Sequence, residues 1–277
     1  MPDIETEVAK HYTTGALMRH ILNALRTLDI DPDAATPDDL AAVDEFHTGG
    51  RRATDDLLAQ LTIKPGTLAL DIGCGIGGPA RHVAHTKGAH VTGVDLTPEF
   101  IETARELSAL VGLADQTDFH TGSALALPVK DGHFELALLL HVGMNIEDKT
   151  TLMAEAKRVL KPGGTFAVFD VMRAEDETTP LAFPLPWSEA AGTSFVTPLA
   201  AYEDAARAAG FEIVATRARA QFALDFFAEV FARMKEHGPS PLGIHLMMRE
   251  TAGEKIKNYV DNVKAGRIAP VELILRA

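Results

Sequence analysis

The sequence predicts an α/β protein whose mostly parallel sheet is covered by helices on both faces. Three observations carry this. From residue 67 onward the chain runs strand, turn, helix several times over. The strand segments, such as "FELALLL" (134–140), are continuously apolar rather than alternating, as strands buried on both faces are. A glycine-rich loop, Gly73-x-Gly75-x-x-Gly78, joins the first strand to the first helix of that rhythm.

Before the rhythm starts, residues 5–28 place Val8, Tyr12, Leu17, Ile21 and Leu25 at helix-like spacing. Thr36-Pro37-Asp38 combines an N-cap, a proline at the first helical position and an early acid, so a short helix is expected to about Asp44. "FHTGG" (46–50) reads as a loop and "RRATDDLLAQL" (51–61) as another helix. Residues 1–62 are therefore expected to form a helical cap, and 63–277 the main domain.

In the main domain "TLALDI" (67–72) is the first strand, and Pro79 opens a helix to about Lys87. "HVTGVD" (90–95) is the second strand, with a helix capped by Thr97-Pro98-Glu99 that stops near Gly112. "TDFHTG" (117–122) and "FELALLL" follow. A helix over 147–160 closes at "KPGG", and "TFAVFDV" (165–171) is the fifth strand. Residues 172–197 carry three prolines and little periodicity, which predicts a long lid-like connection. A helix (198–209), the strand "FEIVAT" (211–216), helices at 222–236 and near 249–265, and the strand "PVELILR" (270–276) complete the chain. Residues 220–269 are expected to form a helical insertion.

Composition narrows the partners. With 46% hydrophobic and 23% charged residues over 277 positions, a folded core is expected rather than disorder. A net charge of −13 disfavours nucleic acid and anionic membranes. The longest apolar runs are strand-sized, far short of the ~20 residues of a membrane span. Cys74 stands alone, so an internal disulfide is ruled out. The opening "MPDIETEVAK" has no basic segment leading into an apolar run, and a cytoplasmic location is expected.

The glycine spacing alone fits a nicotinamide dinucleotide, so an NAD-dependent oxidoreductase is one reading. Asp71, two residues before the first glycine, argues against it. A buried carboxylate there repels a pyrophosphate and suits an ammonium group. Asp95 ends the next strand, where a carboxylate can accept from both ribose hydroxyls. The bland readings are a turn-capping aspartate and a helix-entry residue.

"LALDIGCGIGGPARHVA" (68–84), "VTGVDLTPEFIETA" (91–104), "GSALALPVKDGHFELALLLHV" (122–142) and "RVLKPGGTFAVFDV" (158–171) resemble, in order, the motifs of class I S-adenosylmethionine-dependent methyltransferases. They are similar in particular to the small-molecule branch with the sarcosine/dimethylglycine enzymes. The resemblance implies a Rossmann-like doubly wound sheet of seven strands with the last antiparallel. It implies S-adenosylmethionine as cofactor and a small-molecule acceptor, with an amine or amino acid the expected class. Asp71, Gly73, Cys74 and Gly75 would surround the methionine part, Asp95 the ribose and Leu96 one adenine face. Ser123 stands where the family often has an aspartate for the adenine amino group. The shorter Ser123 shifts that recognition toward the Ala124 backbone and apolar packing. His141 would line the methionine part. The third reading is a module that binds the cofactor without turnover.

His141 and His47 are the candidate catalytic side chains, against the readings of a strand-end histidine and a helix C-cap residue. Tyr12, Arg51, Trp187 and Phe195 are candidates for acceptor binding. For Tyr12 the rival reading is core packing, and for Arg51 a surface ion pair. No metal is expected, since His82 and His85 lack further donors at ligand spacing. Met247 and Met248 read as helix packing. The N-terminal helices and the 220–269 insertion are open either to cap the pocket or to form a homodimer face.

Overall fold

The computed structural model describes residues 4–13, 15–175, 177–248 and 251–277. Its centre is a seven-stranded sheet in the order β3-β2-β1-β4-β5-β7-β6. The strands are β1 (Leu68–Ile72), β2 (His90–Asp95), β3 (Thr117–Thr121), β4 (Phe134–Leu140), β5 (Leu160–Arg173), β6 (Glu212–Ala218) and β7 (Ile268–Arg276). Pairings from β3 through β5 are parallel, and β7 runs antiparallel to both β5 and β6. This is a Rossmann-like doubly wound sheet with β7 as its antiparallel strand. β5 is longer than expected because Leu160 already pairs with Phe134, five residues before the main register resumes at Thr165.

The helices are α1 (Ile4–Tyr12), α2 (Leu17–Thr27), α3 (Ala41–Asp44), α4 (Gly50–Leu58), α5 (Gly78–Lys87), α6 (Pro98–Leu110), α7 (Lys149–Val159), α8 (Leu199–Ala208), α9 (Ala220–His237), α10 (His245–Met248) and α11 (Ala252–Lys264). Strand alternation sends Ile72, Ala137 and Leu139 to one face, where α7 and α8 bring Leu152, Met153, Val159 and Ala205. Leu136, Leu138 and Phe169 point to the other, against Leu57, Ala80, Val83 and Ala104. Each leucine so buried contributes about 2 kcal/mol.

The 5–28 periodicity is carried by two helices, α1 and α2, on either side of Gly15, whose φ of 80° is left-handed. The Glu99 carboxylate accepts from Gly15 N at 2.9 Å and from Leu17 N at 3.0 Å, capping the restart. The helix expected from Thr36 is regular only over α3. Thr36 instead donates backbone and side-chain bonds to Asp39, which holds a turn there. The first two residues of the helix expected near 249–265 lie outside the described residues.

The N-terminal cap packs Leu17, Ile21, Leu25 and Leu40 on Phe100, Leu107, Leu242 and Met247, so it joins α6 to α10. Within the expected lid, residues 182–187 are anchored. Ala182 and Pro184 bond to Asn262 and Asn258 of α11, and Leu185 and Trp187 are buried with Phe227 and Tyr259.

One ion pair ties the cap to the sheet. Arg81 of α5 donates to Asp44 of α3 at 2.5 Å, and both side chains are fully buried. Close approach of the two helices needs Gly78, because a Cβ there would stand 2.1 Å from the Asp44 carbonyl oxygen. Removing one partner leaves a buried charge unpaired. Arg81→Met is therefore expected to lower unfolding free energy by about 3–5 kcal/mol in urea titrations. The double variant Arg81→Met/Asp44→Asn should recover most of that loss.

Candidate functional site

At the carboxyl ends of β1, β2 and β4 lies a cavity of about 510 Å³. Open α/β sheets bind ligands there. Its floor is the glycine loop. Gly73 N and Cys74 N both donate to the Val94 carbonyl, at 2.7 and 3.1 Å, and so tie the loop to β2. Gly73 has φ 73°, and a Cβ on it would meet Val142 at 2.4 Å. Gly75 has φ 54°, and a Cβ on it would enter open space. The loop thus needs bare backbone on one side for packing and leaves it bare on the other, toward the cavity. Cys74 is a buried loop residue whose thiol is pushed up by burial and by Asp95 and Asp71.

The wall is mostly apolar, and its acidic groups are carboxylates with no basic partner on the lining. Glu5, Asp44, Asp71, Asp95, Glu147 and Asp148 border the cavity, and no lysine or arginine does among the described residues. Asp71 is 1% exposed. Burial, then Glu45 and Asp95, push its carboxyl up to about 7 against one opposing bond from Ala80 N. Asp44 is raised by burial to about 6, with Arg81 opposing the shift. Asp95 is also raised by burial, although Thr97 N and Gly75 N donate to its two oxygens at 2.9 and 3.0 Å. Those two bonds fix its side chain where β2 ends.

Three buried acceptors on this wall have no partner in the protein: Asp44 Oδ2, Asp71 Oδ2 and Asn145 Oδ1. Unpaired buried acceptors are costly and rare in native proteins. Three together in a cavity without cations suit a ligand that carries several N–H donors and positive charge. The ammonium and sulfonium groups of S-adenosylmethionine fit this donor-poor wall.

The two candidate histidines are brought together, with ring centroids 5.8 Å apart, and both border the cavity. Each ring is fully engaged. His141 sits at φ 56°, a strained position for a side-chain-bearing residue, just past β4. Its backbone N and Nδ1 donate to the Phe169 carbonyl, so Nε2 is the acceptor, taking Thr48 N at 3.3 Å and Thr48 Oγ1 at 3.1 Å. Thr48 Oγ1 in turn meets Tyr259 OH at 2.7 Å. Burial, then His47, drive His141 down to about 3, so it is neutral at ordinary pH. His47 Nε2 lies 2.9 Å from Glu45 Oε2 and 3.0 Å from Thr54 Oγ1, and its Nδ1 lies 3.3 Å from the Thr48 carbonyl. Burial works to raise Glu45, but His47, Arg51 and Thr54 outweigh it and hold the carboxyl at about 2.

The remaining sequence candidates separate. Leu96, Ser123 and Ala124 border the cavity with Tyr12, which packs on Phe46 and Phe100 and takes a bond from Asn145 Nδ2. Trp187 borders a second chamber of about 50 Å³ beside the first, with Met144, Phe227, Ile256 and Tyr259. Its Nε1 donates to Ser194 Oγ. Met247 borders the large cavity and Met248 the small one. Arg51 and Phe195 border neither. Arg51 donates to Glu45 at 2.6 Å and lies 2.8 Å from His82 Nδ1, so it supports His47 from behind. The Phe195 carbonyl accepts from Lys149 Nζ, which places the residue on the outer shell. Glu5, Asp44, Thr48, Asn145 and Tyr259 were not singled out from the sequence. Only the 5, 8, 12 spacing in α1, which puts Glu5 beside Val8 and Tyr12, carried a signal.

Residues 70–168 match the family model described as a methyltransferase domain. The chain is 33% identical over 134 residues to the methyltransferase GfsG of Streptomyces halstedii, covering 48% of each chain. It is 38% identical over 123 residues to the 2-methyl-6-phytyl-1,4-hydroquinone methyltransferase of Synechocystis, covering 44% of this chain and 37% of that one. These matches span about half or less of the relatives' length. In fold it is similar to the geranyl diphosphate C-methyltransferase of Streptomyces coelicolor, with TM-score 0.72, 14% identity, and 100% and 98% of the two chains covered.

A pH titration tests the electrostatics of the site. Asp71 keeps its proton to about pH 7 in the folded state, whereas an unfolded aspartate loses it near pH 4. Its contribution to stability is present below about pH 4 and lost as pH rises through 7. The variant Asp71→Asn cannot ionise. Its melting temperature should match the wild type near pH 4 and exceed it by several degrees above pH 7. A difference that stays flat with pH would mean that Asp71 ionises normally.

Proposed function

We propose that this chain, a class I S-adenosylmethionine-dependent methyltransferase by the family of its residues 70–168, transfers a methyl group from S-adenosylmethionine to a small-molecule acceptor. S-adenosylmethionine is the cofactor. The observation that carries the reading is the trio of unpaired acceptors, Asp44 Oδ2, Asp71 Oδ2 and Asn145 Oδ1, beside the glycine loop. Asp71 and Asn145 would receive the ammonium group, with Gly73, Cys74 and Gly75 giving the methionine part room. Asp95, already held by Gly75 N and Thr97 N, keeps lone pairs for the ribose hydroxyls. Leu96 and Ala124 would flank the adenine.

When bound, the cofactor supplies an electrophilic methyl carbon on a sulfonium leaving group. A lone pair of the acceptor would bond to that carbon as the carbon–sulfur pair returned to sulfur, leaving a neutral thioether. What the chain must contribute is alignment and a dry enclosure. His141 and His47 serve this as positioning residues, because their ring nitrogens are committed to Phe169, Thr48, Glu45 and Thr54. Thr48 and Tyr259 extend that network to the small chamber, which together with the adjoining part of the large cavity we assign to the acceptor. The small chamber's lining of Met144, Trp187, Phe227 and Ile256 favours an apolar acceptor over the amine or amino acid expected from the sequence. The lone buried Cys74 suits a reducing compartment, and we place the reaction in the cytoplasm.

Titration calorimetry is the test. S-adenosylmethionine and S-adenosylhomocysteine should bind saturably while NAD gives no heat. Asp71→Asn should weaken the first two at least about tenfold, the scale of a lost charge-assisted hydrogen bond. Below pH 7 binding should release protons, seen by comparing buffers of different ionisation enthalpy, because the bound ammonium needs Asp71 as a carboxylate. No binding at millimolar concentration would overturn the reading. Binding without label transfer from methyl-labelled cofactor to any amine, hydroxyl or carbon acceptor would instead point to a binding module.

A further inference from the structure

We infer that Glu5, on the N-terminal helix and outside the matched methyltransferase domain, accepts the hydrogen bond from the exocyclic amino group of the cofactor's adenine. The inference rests on the cofactor reading above. It begins with Ser123, the residue at the β3 end of the cavity. Leu125 N donates to Ser123 Oγ at 3.0 Å, and the Ser123 hydroxyl donates to Glu5 Oε1. The Ser123 carbonyl takes Ala126 N. The serine thus spends its proton on Glu5 and one lone pair on its own turn, which leaves it a poor acceptor for a ligand.

Glu5 has what Ser123 lacks. A carboxylate offers about four acceptor positions, and the serine hydroxyl engages one of its two oxygens. The side chain is half-buried and borders the large cavity. Its bond to Ser123 orients it on the wall that Leu96 and Ala124 share. An exocyclic amine presents two N–H donors in the ring plane, and a carboxylate is the matching acceptor. A purine with a carbonyl at the same carbon would set oxygen against oxygen. Glu5 would therefore also discriminate between bases.

The geometry of α1 explains how a residue so far from the domain reaches the site. Glu5, Val8 and Tyr12 fall at i, i+3 and i+7 and share one face, which borders the cavity over roughly 10 Å of helix. The carboxyl end of α1 is fixed: Tyr12 packs on Phe46 and Phe100, His11 Nε2 lies 3.3 Å from the Pro186 carbonyl, and Glu99 holds Gly15 and Leu17. The amino end rests on Ser123 through Glu5. One helix therefore spans the site from its adenine end to the lid segment that shapes the acceptor chamber. Reading the base at one end helps to seat Tyr12 at the other.

The test compares two ligands on two proteins by titration calorimetry. One ligand is S-adenosylhomocysteine, and the other is its analogue with hydrogen in place of the 6-amino group. Wild-type protein should prefer the amino ligand by about tenfold or more, as a hydrogen bond to a charged acceptor gives. Glu5→Ala should lose that preference, bringing the two dissociation constants within about twofold. The affinity of the deaminated analogue should be the same in both proteins, which separates recognition from any loss of helix docking. If Glu5→Ala keeps the preference, or weakens both ligands equally, the assignment to Glu5 is overturned and the methyltransferase reading stands. If wild-type protein binds neither ligand, the cofactor reading falls and this inference falls with it.

Discussion

The structure depends on one electrostatic constraint: carboxylates are buried at the open edge of a parallel sheet without enough protein cations to match them. Asp44, Asp71 and Asp95 border one cavity where β1 and β2 end, and among the described residues Arg81 is the one fully buried guanidinium paired with any of them. A buried carboxylate without its counter-charge is pushed toward its protonated form, as Asp71 is to about 7; Asp44 is raised by burial to about 6 even though Arg81 pairs with it. The site is thus under-compensated in the free chain. Positive charge must come from the ligand, and the energy that opposes folding of the bare site becomes binding energy for a cation.

That constraint accounts for the heavy scaffolding behind the cavity. Glu45 is nearly as buried as Asp71, yet its carboxyl is held at about 2 because His47, Arg51 and Thr54 surround it. Its charge then pushes Asp71 upward across the site. The strained backbone at His141 persists because Phe169 and Thr48 fix both sides of the ring. Through Thr48 the same ring braces the loop 46–50 against Tyr259 of α11, so cap, sheet and insertion meet at one threonine.

Most of the fold was legible in the sequence. Continuous apolar strands and proline or glycine boundaries need only local information, and all seven strands lie where those signals put them. The departures came where local signals met a distant partner. The early start of β5 depends on its pairing with Phe134. In the site, Asp71, Gly73, Gly75 and Asp95 stand out because loop chemistry fixes their spacing. Glu5, Asn145 and Tyr259 do not, because each reaches its place only through packing of another element. Arg51 shows the converse. A cation at a helix start looks available in sequence, and its partners Glu45 and His82 become visible only once α4 and α5 pack together.

The two histidines show why side-chain chemistry is a poor guide in a site of this kind. Histidine beside a cavity suggests proton transfer. Here, however, one ring is driven to about 3 by burial and both rings are saturated by neighbours. With the leaving group already activated, no acid is needed to expel it, and a base is needed only when the acceptor arrives protonated. The reaction asks that the two reacting atoms be held in line and kept from water, and rigid, fully bonded side chains do that better than loosely held ones. On this argument the informative residues are those whose polar atoms remain unpaired. Asp44, Asp71 and Asn145 outrank both histidines as markers of where a ligand sits.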